Sequence, residues 1–326
     1  MLEHGGKLRD AAARFGRSDW IDLSTGLNPR GYPAPAVSID AWHRLPEQDP
    51  CLLHAASSYY GTPSLLAVAG SQAAIQALPR LRAPSRIVVA APSYAEHAHH
   101  WSQHGHTVRE VAYPDLEAAL PDCDVMVLCN PNNPTGATIA ADRLRAWALQ
   151  LATRGGWLVV DEAFADTTPE LSVARWSGGD GLIVLRSIGK FFGLAGVRVG
   201  FLCAGQALLG QMADMLGPWT ISGPAQAIAR SALEDRAWQQ AAQADINLSA
   251  ARLTKLLAQH AIAPSGSALF QWWPEARPEQ FWQHMAERGI WVRLFAHAAR
   301  GIRIGLPPDE PAWERLEAAF NEWEQA

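Results

Sequence analysis

Charge is scarce in this chain. Only 18% of its 326 residues are Asp, Glu, Lys or Arg, and 27 basic against 32 acidic residues leave a formal charge of -5. No basic stripe gathers along any segment, so the electrostatic footprint of a nucleic-acid binder is missing. Cysteine is also sparse: Cys51, Cys123, Cys129 and Cys203 have no Cys-x-x-Cys spacing, which argues against a disulfide framework or a zinc ribbon. No apolar run is long enough to span a bilayer, and the opening MLEHGGKLRD lacks the apolar core of a secretory leader. A soluble cytoplasmic enzyme is the expectation, with no metal centre and no nucleic-acid or membrane partner. Hydrophobic residues, at 48%, are enough for a large core. The fourteen tryptophans read as core and interface filler.

From about Ser64 to Cys203, short β-rich runs alternate with helix-like segments. The clearest runs are Arg86–Ala90, Val125–Cys129, Trp157–Asp161, Leu182–Ser187 and Val199–Cys203, with helical stretches at Ser71–Leu81, Tyr94–His104 and Ala140–Arg154. Continuous apolar strands separated by helices predict an α/β domain with a mostly parallel sheet covered on both faces. Ligands of such sheets sit beyond the carboxyl ends of the strands. There the chain places Asn130–Gly136, Asp161–Glu162 and Ser187–Lys190. After about Leu233 the pattern becomes that of a small α+β domain, with a long helix near Ala237–His260 and strands near Ala268–Trp272, Trp291–Leu294 and Ile302–Ile304. The expected division is an N-terminal arm over residues 1–28, a large domain over 29–233 and a small one over 234–326.

Lys190 follows a buried strand and is itself followed by glycines, in Ser187-Ile-Gly-Lys190-Phe-Phe-Gly-Leu-Ala-Gly-Val-Arg198-Val-Gly200. A partly desolvated lysine has a lowered pKa and attacks aldehydes. Ser187 and Arg198 can bind a phosphate beside it, and glycines let the backbone approach closely. Ser71 and Gln72 open a helix after Gly70, where free N–H groups favour an anion. Asp161 ends a buried strand and needs a partner. The histidine-rich stretch Glu96-His97-Ala98-His99-His100, continuing to His104 and His106, reads as a solvated helix face in preference to a metal site.

These segments, in this order, resemble the fold-type I pyridoxal-phosphate (PLP) enzymes, the aspartate-aminotransferase-like transferases. The resemblance implies PLP as cofactor, held on Lys190 as a Schiff base. Ser71, Gln72, Ser187 and Arg198 would take its phosphate, and Tyr94 of Ala91-Pro92-Ser93-Tyr94 would stack on the pyridine. Asn133 of Asn130-Pro-Asn-Asn-Pro-Thr-Gly136 would bond the phenolic oxygen, and Asp161 the ring nitrogen.

Within that fold the chain is similar to the histidinol-phosphate aminotransferase branch, and there to the threonine-phosphate decarboxylases of cobalamin biosynthesis. His4-Gly5-Gly6, the stretch Ile21-Asp-Leu-Ser-Thr-Gly-Leu-Asn28-Pro29, Phe164 in place of a tyrosine, and Gly301-Ile-Arg303-Ile-Gly305-Leu-Pro307 carry this likeness. It implies decarboxylation of L-threonine O-3-phosphate to (R)-1-amino-2-propanol O-2-phosphate. Arg303, with Asn133, would clamp the substrate's α-carboxylate. Arg293, His4, the Gly5–Gly6 backbone and Asn28 would face its phosphate. The bland alternatives are a surface ion pair for Arg293 and an unordered terminus for His4. Rival functions are histidinol-phosphate aminotransfer and a non-catalytic PLP-binding module. The resemblance implies a homodimer, and many relatives carry Arg-Tyr-Pro where this chain reads Arg44-Leu45-Pro46, so the tyrosine contact to the neighbouring subunit's cofactor phosphate is absent or replaced.

Overall fold

The computed structural model describes residues 4–323. The first three residues of the expected arm and the last three of the chain lie outside them. Contacts divide the chain into two compact units. The larger comprises Gly31–Asn132 and Ala137–Gln239; the smaller comprises the residues through Arg30, Asn133–Gly136, and those from Gln240 onward. No helix among the described residues is long and apolar enough to cross a membrane.

Strands are numbered here in chain order, and the first, β1, is the short Ile21–Asp22 of the smaller unit. The larger unit holds a seven-stranded sheet made of β2 (Leu65–Val68), β3 (Arg86–Ala91), β4 (Thr107–Ala112), β5 (Val125–Cys129), β6 (Trp157–Asp161), β7 (Leu182–Ser187) and β8 (Gly200–Cys203). Their spatial order is β2-β8-β7-β6-β5-β3-β4. Both pairings of β8 are antiparallel and the rest are parallel, so β8 alone runs against the others. Strands β5 and β7 are buried at every position; the apolar runs Val125–Leu128 and Leu182–Leu185 suit a sheet covered on both faces. One face presents Val125, Val127, Val159, Ile183 and Leu185 to a core shared with Ala74, Ile75, Trp101 and Met212. That period of two is the pleat.

The helix expected over Ser71–Leu81 is α-helical through Ala77 and continues as a 3-10 turn, Leu78–Leu81. Pro79 is the reason, because it has no N–H to continue the α ladder. The edge strand β4 reads TVREVA and is exposed along most of its length.

The smaller unit pairs β9 (Ser265–Ser267), β10 (Phe270–Trp273), β12 (Arg293–Phe295) and β13 (Gly301–Gly305) into an antiparallel sheet of order β12-β13-β10-β9. The N-terminal segment joins this unit through β1, which pairs in parallel with β11 (Ile290–Trp291). The helix Leu8–Phe15 is pinned by an aromatic knot in which Phe15, Trp20, Trp282 and Trp291 meet edge to face at centroid distances of 5.0 to 6.3 Å. Such contacts add about 0.5–1.5 kcal/mol each beyond the area they bury.

Candidate active site

The parallel strands of the large sheet deliver their polar residues at one edge. In the ladder Cys129 of β5 lies beside Asp161 of β6, and Asp161 beside Leu185 of β7. Asp161 is buried, its Oδ2 lying 2.9 Å from His97 Nε2 and its Oδ1 accepting the Ala163 N–H at 3.0 Å. A carboxylate offers about four acceptor positions, so Asp161 has capacity for a further N–H such as that of a pyridinium. Burial opposes charge on His97, but hydrogen bonds to Asp161 and Cys129 outweigh it and raise its pKa to about 10. His97 is therefore a cation at neutral pH, held against the Asp161 carboxylate by that hydrogen bond.

This overturns the reading of Glu96–His100 as a solvated face. Glu96 and His97 are buried, and of the histidines in that stretch His99 and His104 are exposed in the expected way. The inner face of helix Glu96–Gln103 carries His97 to the partner that the buried carboxylate of Asp161 required. His106 is also buried, between Pro79 O and Ser85 N. Cys129 joins His97 and Asp161 with one ligand atom each within 4.8 Å, although a cation there would have to break the His97–Asp161 bond.

Lys190 leaves the end of β7 within the same unit. Its Nζ lies 5.4 Å from the centre of the Phe164 ring. Ser187 Oγ accepts the Gly189 N–H at 3.2 Å, which shapes the turn into Lys190. Arg198 sits in the left-handed region at φ 58°. Its guanidinium lies over Gly70, where an added Cβ would stand 2.6 Å from Nη2. A Cβ at Gly200 would stand 2.5 Å from the Ser71 N. Two glycines thus keep open a cradle bordered by Ser71 and Arg198 that any side chain would fill. Tyr94 donates to Gln72 Oε1 at 3.1 Å, Gln72 Nε2 donates to Glu96 Oε2 at 2.8 Å, and His100 Nε2 lies 2.9 Å from the same oxygen. The Tyr94 ring is held by this chain of bonds. An amine for an aldehyde, a carboxylate for a ring nitrogen, and a cationic cradle for a phosphate are together the donor set that pyridoxal phosphate needs.

Behind these residues lies a cluster that the sequence motifs did not reveal. Arg186 precedes Ser187 and is buried, with Nη1 2.6 Å from Glu162 Oε2 and Nη2 2.7 Å from Asp166 Oδ1. Glu162, next to Asp161, also accepts from Ser172 Oγ and the Val173 N–H. The Arg186 guanidinium stacks on Tyr60 at 4.4 Å. Burial pushes Glu162 and Asp166 up, and Arg186 pulls them back. The cluster cross-links the ends of β6 and β7, the strands that carry Asp161 and Lys190.

In the smaller unit Arg303, on β13, lies opposite Arg293, on β12, in the strand ladder. Arg303 is buried; Nη2 donates to Ser24 O at 2.6 Å and Nη1 donates to Asn133 Oδ1. Its Nε has no partner among the described residues. Both of its hydrogen bonds go to neutral oxygens. Burial, followed by Arg293, lowers its pKa, with Asp22 opposing. A desolvated guanidinium facing a second cation is poised for an anion. Asn28 is buried, and its Oδ1 accepts the Arg30 N–H at 3.0 Å. His4 and Gly6 are exposed, and Gly6 N–H donates to Ser24 Oγ at 2.7 Å. The structure thus gathers Asn133, Arg303 and Arg293 in one unit, with the His4–Gly6 segment tied there through Ser24. It gathers Ser71, Gln72, Tyr94, Asp161, Ser187, Lys190 and Arg198 in the other.

Known proteins share this construction. The profile of the class I and II aminotransferases matches residues 19–316. The threonine-phosphate decarboxylase of Pseudomonas aeruginosa is 50% identical, over 98% of this chain and 97% of that protein. That of a Sinorhizobium species is 40% identical, over 99% and 98%. The structure of histidinol-phosphate aminotransferase from Sinorhizobium meliloti in complex with pyridoxal-5'-phosphate superposes with a TM-score of 0.85 at 24% identity, over 100% of this chain and 96% of that one. A likeness at that identity speaks for the fold. With the profile spanning both units and two relatives aligned nearly end to end, the chain belongs to the class I and II aminotransferase family.

Proposed function

We propose that this enzyme is a pyridoxal-phosphate-dependent decarboxylase that converts L-threonine O-3-phosphate to (R)-1-amino-2-propanol O-2-phosphate, a reaction of cobalamin biosynthesis. The observation that carries the reading is Arg303, a buried cation bonded only to neutral oxygens and set opposite Arg293. Two close arginines suit a small substrate bearing a carboxylate and a phosphate. The relatives' names agree with that substrate.

When bound, the cofactor supplies an electron sink for the pair released at the substrate's α-carbon. Asp161 would hold the ring N–H, with its carboxylate fixed by the 2.9 Å bond to His97. Arg198, Ser71, Gln72 and Ser187 would hold the phosphate, and Tyr94 would lie against the ring. Arg303 would grip the α-carboxylate and orient its bond to the α-carbon for cleavage, and Asn133, whose Oδ1 accepts from Arg303, would keep Nδ2 for the phenolic oxygen. Arg293, His4, the Gly5–Gly6 segment and Asn28 face the substrate phosphate. Lys190 is the residue that would hold the cofactor, and its Nζ would be the group that delivers a proton to the substrate's α-carbon. The N-terminal segment is the arm that covers the substrate.

One purified sample decides the reaction. The expected result is carbon dioxide from L-threonine O-3-phosphate with no keto acid present, and no amino exchange between glutamate and 2-oxoglutarate. Amino exchange with no carbon dioxide would make the enzyme an aminotransferase instead. Lys190→Ala should abolish the visible absorbance of covalently held cofactor. An unchanged absorbance would remove Lys190 from its role.

The enzyme is further proposed to act as a homodimer. Ile39, Trp42 and Leu45 lie within one short stretch and are 63 to 65% exposed, and apolar surface of that kind marks an interface. Sedimentation should give twice the chain mass, and charged residues at Trp42 and Leu45 should halve it.

A further inference from the structure

We infer that Ser24 is a positioning residue that ties the N-terminal His4-Gly5-Gly6 segment to the Arg303 anion clamp, and that the Gly6 N–H serves this tether and not the substrate. The inference deepens the proposed reading of Arg303 as a substrate clamp and rests on it.

Ser24 is 1% exposed and uses both its side chain and its backbone. Its Oγ donates to Asp22 Oδ1 at 2.6 Å, and its N–H donates to the same oxygen at 2.9 Å. Because the hydroxyl proton points at Asp22, the oxygen lone pairs face the other way. There they accept the Gly6 N–H at 2.7 Å, across eighteen residues of chain. The carbonyl of the same residue accepts Arg303 Nη2 at 2.6 Å. One residue therefore touches the arm with its side chain and the clamp with its main chain.

Ser24 cannot shift without its surroundings. The preceding residue, Leu23, donates its N–H to Trp291 O at 2.9 Å and accepts the Gly305 N–H at 2.7 Å. Its neighbours are thus locked between the end of β11 and the end of β13. Gly5 crosses directly over the Ser24 carbonyl, where a Cβ would stand 2.5 Å from that oxygen. A side chain at position 5 would therefore push aside the oxygen that holds Arg303. Gly6 itself has φ +79°, a conformation that glycine adopts at no steric cost. An ordinary turn explains the short-range bonds between Asp22 and Ser24. It does not explain why the hydroxyl also captures an amide from the far end of the arm. With the Gly6 N–H committed, the Gly5 N–H is the donor that this pair of glycines still offers to a phosphate.

The test uses the holoenzyme and two readouts. In Ser24→Ala the Gly6 amide should exchange with solvent about tenfold faster, which corresponds to losing one hydrogen bond. KM for L-threonine O-3-phosphate should rise by a similar factor, while kcat stays within about twofold and the cofactor absorbance is unchanged. Asp22→Asn keeps an acceptor oxygen and should stay close to the unmodified enzyme. Asp22→Ala frees the hydroxyl to rotate and should move both readouts in the direction of Ser24→Ala. Unchanged Gly6 exchange in Ser24→Ala would overturn the tether. Equal damage from Asp22→Asn and Asp22→Ala would overturn it as well, since charge would then be the cause. Should the unmodified enzyme release no carbon dioxide, the proposed reaction fails, while the exchange rates, read without substrate, still decide the tether.

Discussion

Buried charge is handled in opposite ways in the two units. At the strand ends of the larger unit, Arg186 pairs with both Glu162 and Asp166, and His97 pairs with Asp161. All five are more than nine-tenths buried. In the smaller unit Arg303 is just as buried, yet among the described residues it bonds only to an amide oxygen and a carbonyl, and Arg293 lies opposite it. A buried pair is costly to break because one uncompensated charge remains. A buried cation whose hydrogen bonds reach no anion already bears much of that cost, offset only by the charge of Asp22, and a ligand carboxylate relieves it. The first arrangement fixes geometry; the second leaves binding energy for a substrate to collect.

The contrast is broken most directly at Arg186. Arg186→Met leaves Glu162 and Asp166 facing each other without their cation, and unfolding in urea should show a loss of about 3–5 kcal/mol. A loss below about 1 kcal/mol would mean that the cluster is not a structural cross-link. Apolar residues at all three positions should recover most of the stability, because no charge is then stranded. Cofactor affinity should recover less, since the ends of β6 and β7 would have lost their tie.

Arg303→Met sharpens the other side. Stability should stay within about 1 kcal/mol of the unmodified enzyme, because losing a desolvated charge offsets leaving Ser24 O and Asn133 Oδ1 short of a donor. Turnover should suffer far more, with kcat/KM falling by roughly 30- to 1,000-fold, or about 2–4 kcal/mol. A variant that loses stability and activity in equal measure would show that Arg303 is built into the fold like Arg186.

The sequence made the two regions unequally legible. Lys190, Asp161 and Asn133 stand in short motifs, so their places at strand ends could be read locally, and β5, β6 and β7 have the bounds expected from their apolar runs. Strand β4 was not visible because TVREVA, at a sheet edge, carries charge where an inner strand would be apolar. The His97–Asp161 pair spans 64 residues, and spacing along one helix cannot disclose a partner on a strand. Arg186 interrupts an apolar strand, which in a sequence looks like a solvent-facing position. Its two carboxylates became meaningful only when the neighbouring strand lay beside it. Ser24 was hidden for a similar reason, because its partners Gly6 and Arg303 come from opposite ends of the chain.

The smallest effect is expected at His97, and it depends on pH. Its pKa is raised in the folded protein, to about 10, from an ordinary value of 6.5. A group raised in this way stabilises the fold fully below its unfolded pKa, and the stabilisation is lost as pH climbs through the folded value. His97→Gln keeps a neutral donor near Asp161 but cannot carry the charge. The unmodified enzyme should therefore exceed the variant by about 1.5–3 kcal/mol at pH 6, the usual worth of a charge-assisted bond. That margin should shrink steadily between about pH 6.5 and 10 and be nearly gone above it. Thermal unfolding of both proteins across this range measures the margin. A margin that stays flat would mean that His97 is neutral when folded. The His97–Asp161 contact would then be a neutral hydrogen bond, and the larger unit would resemble the smaller one more closely than its ion pairs imply.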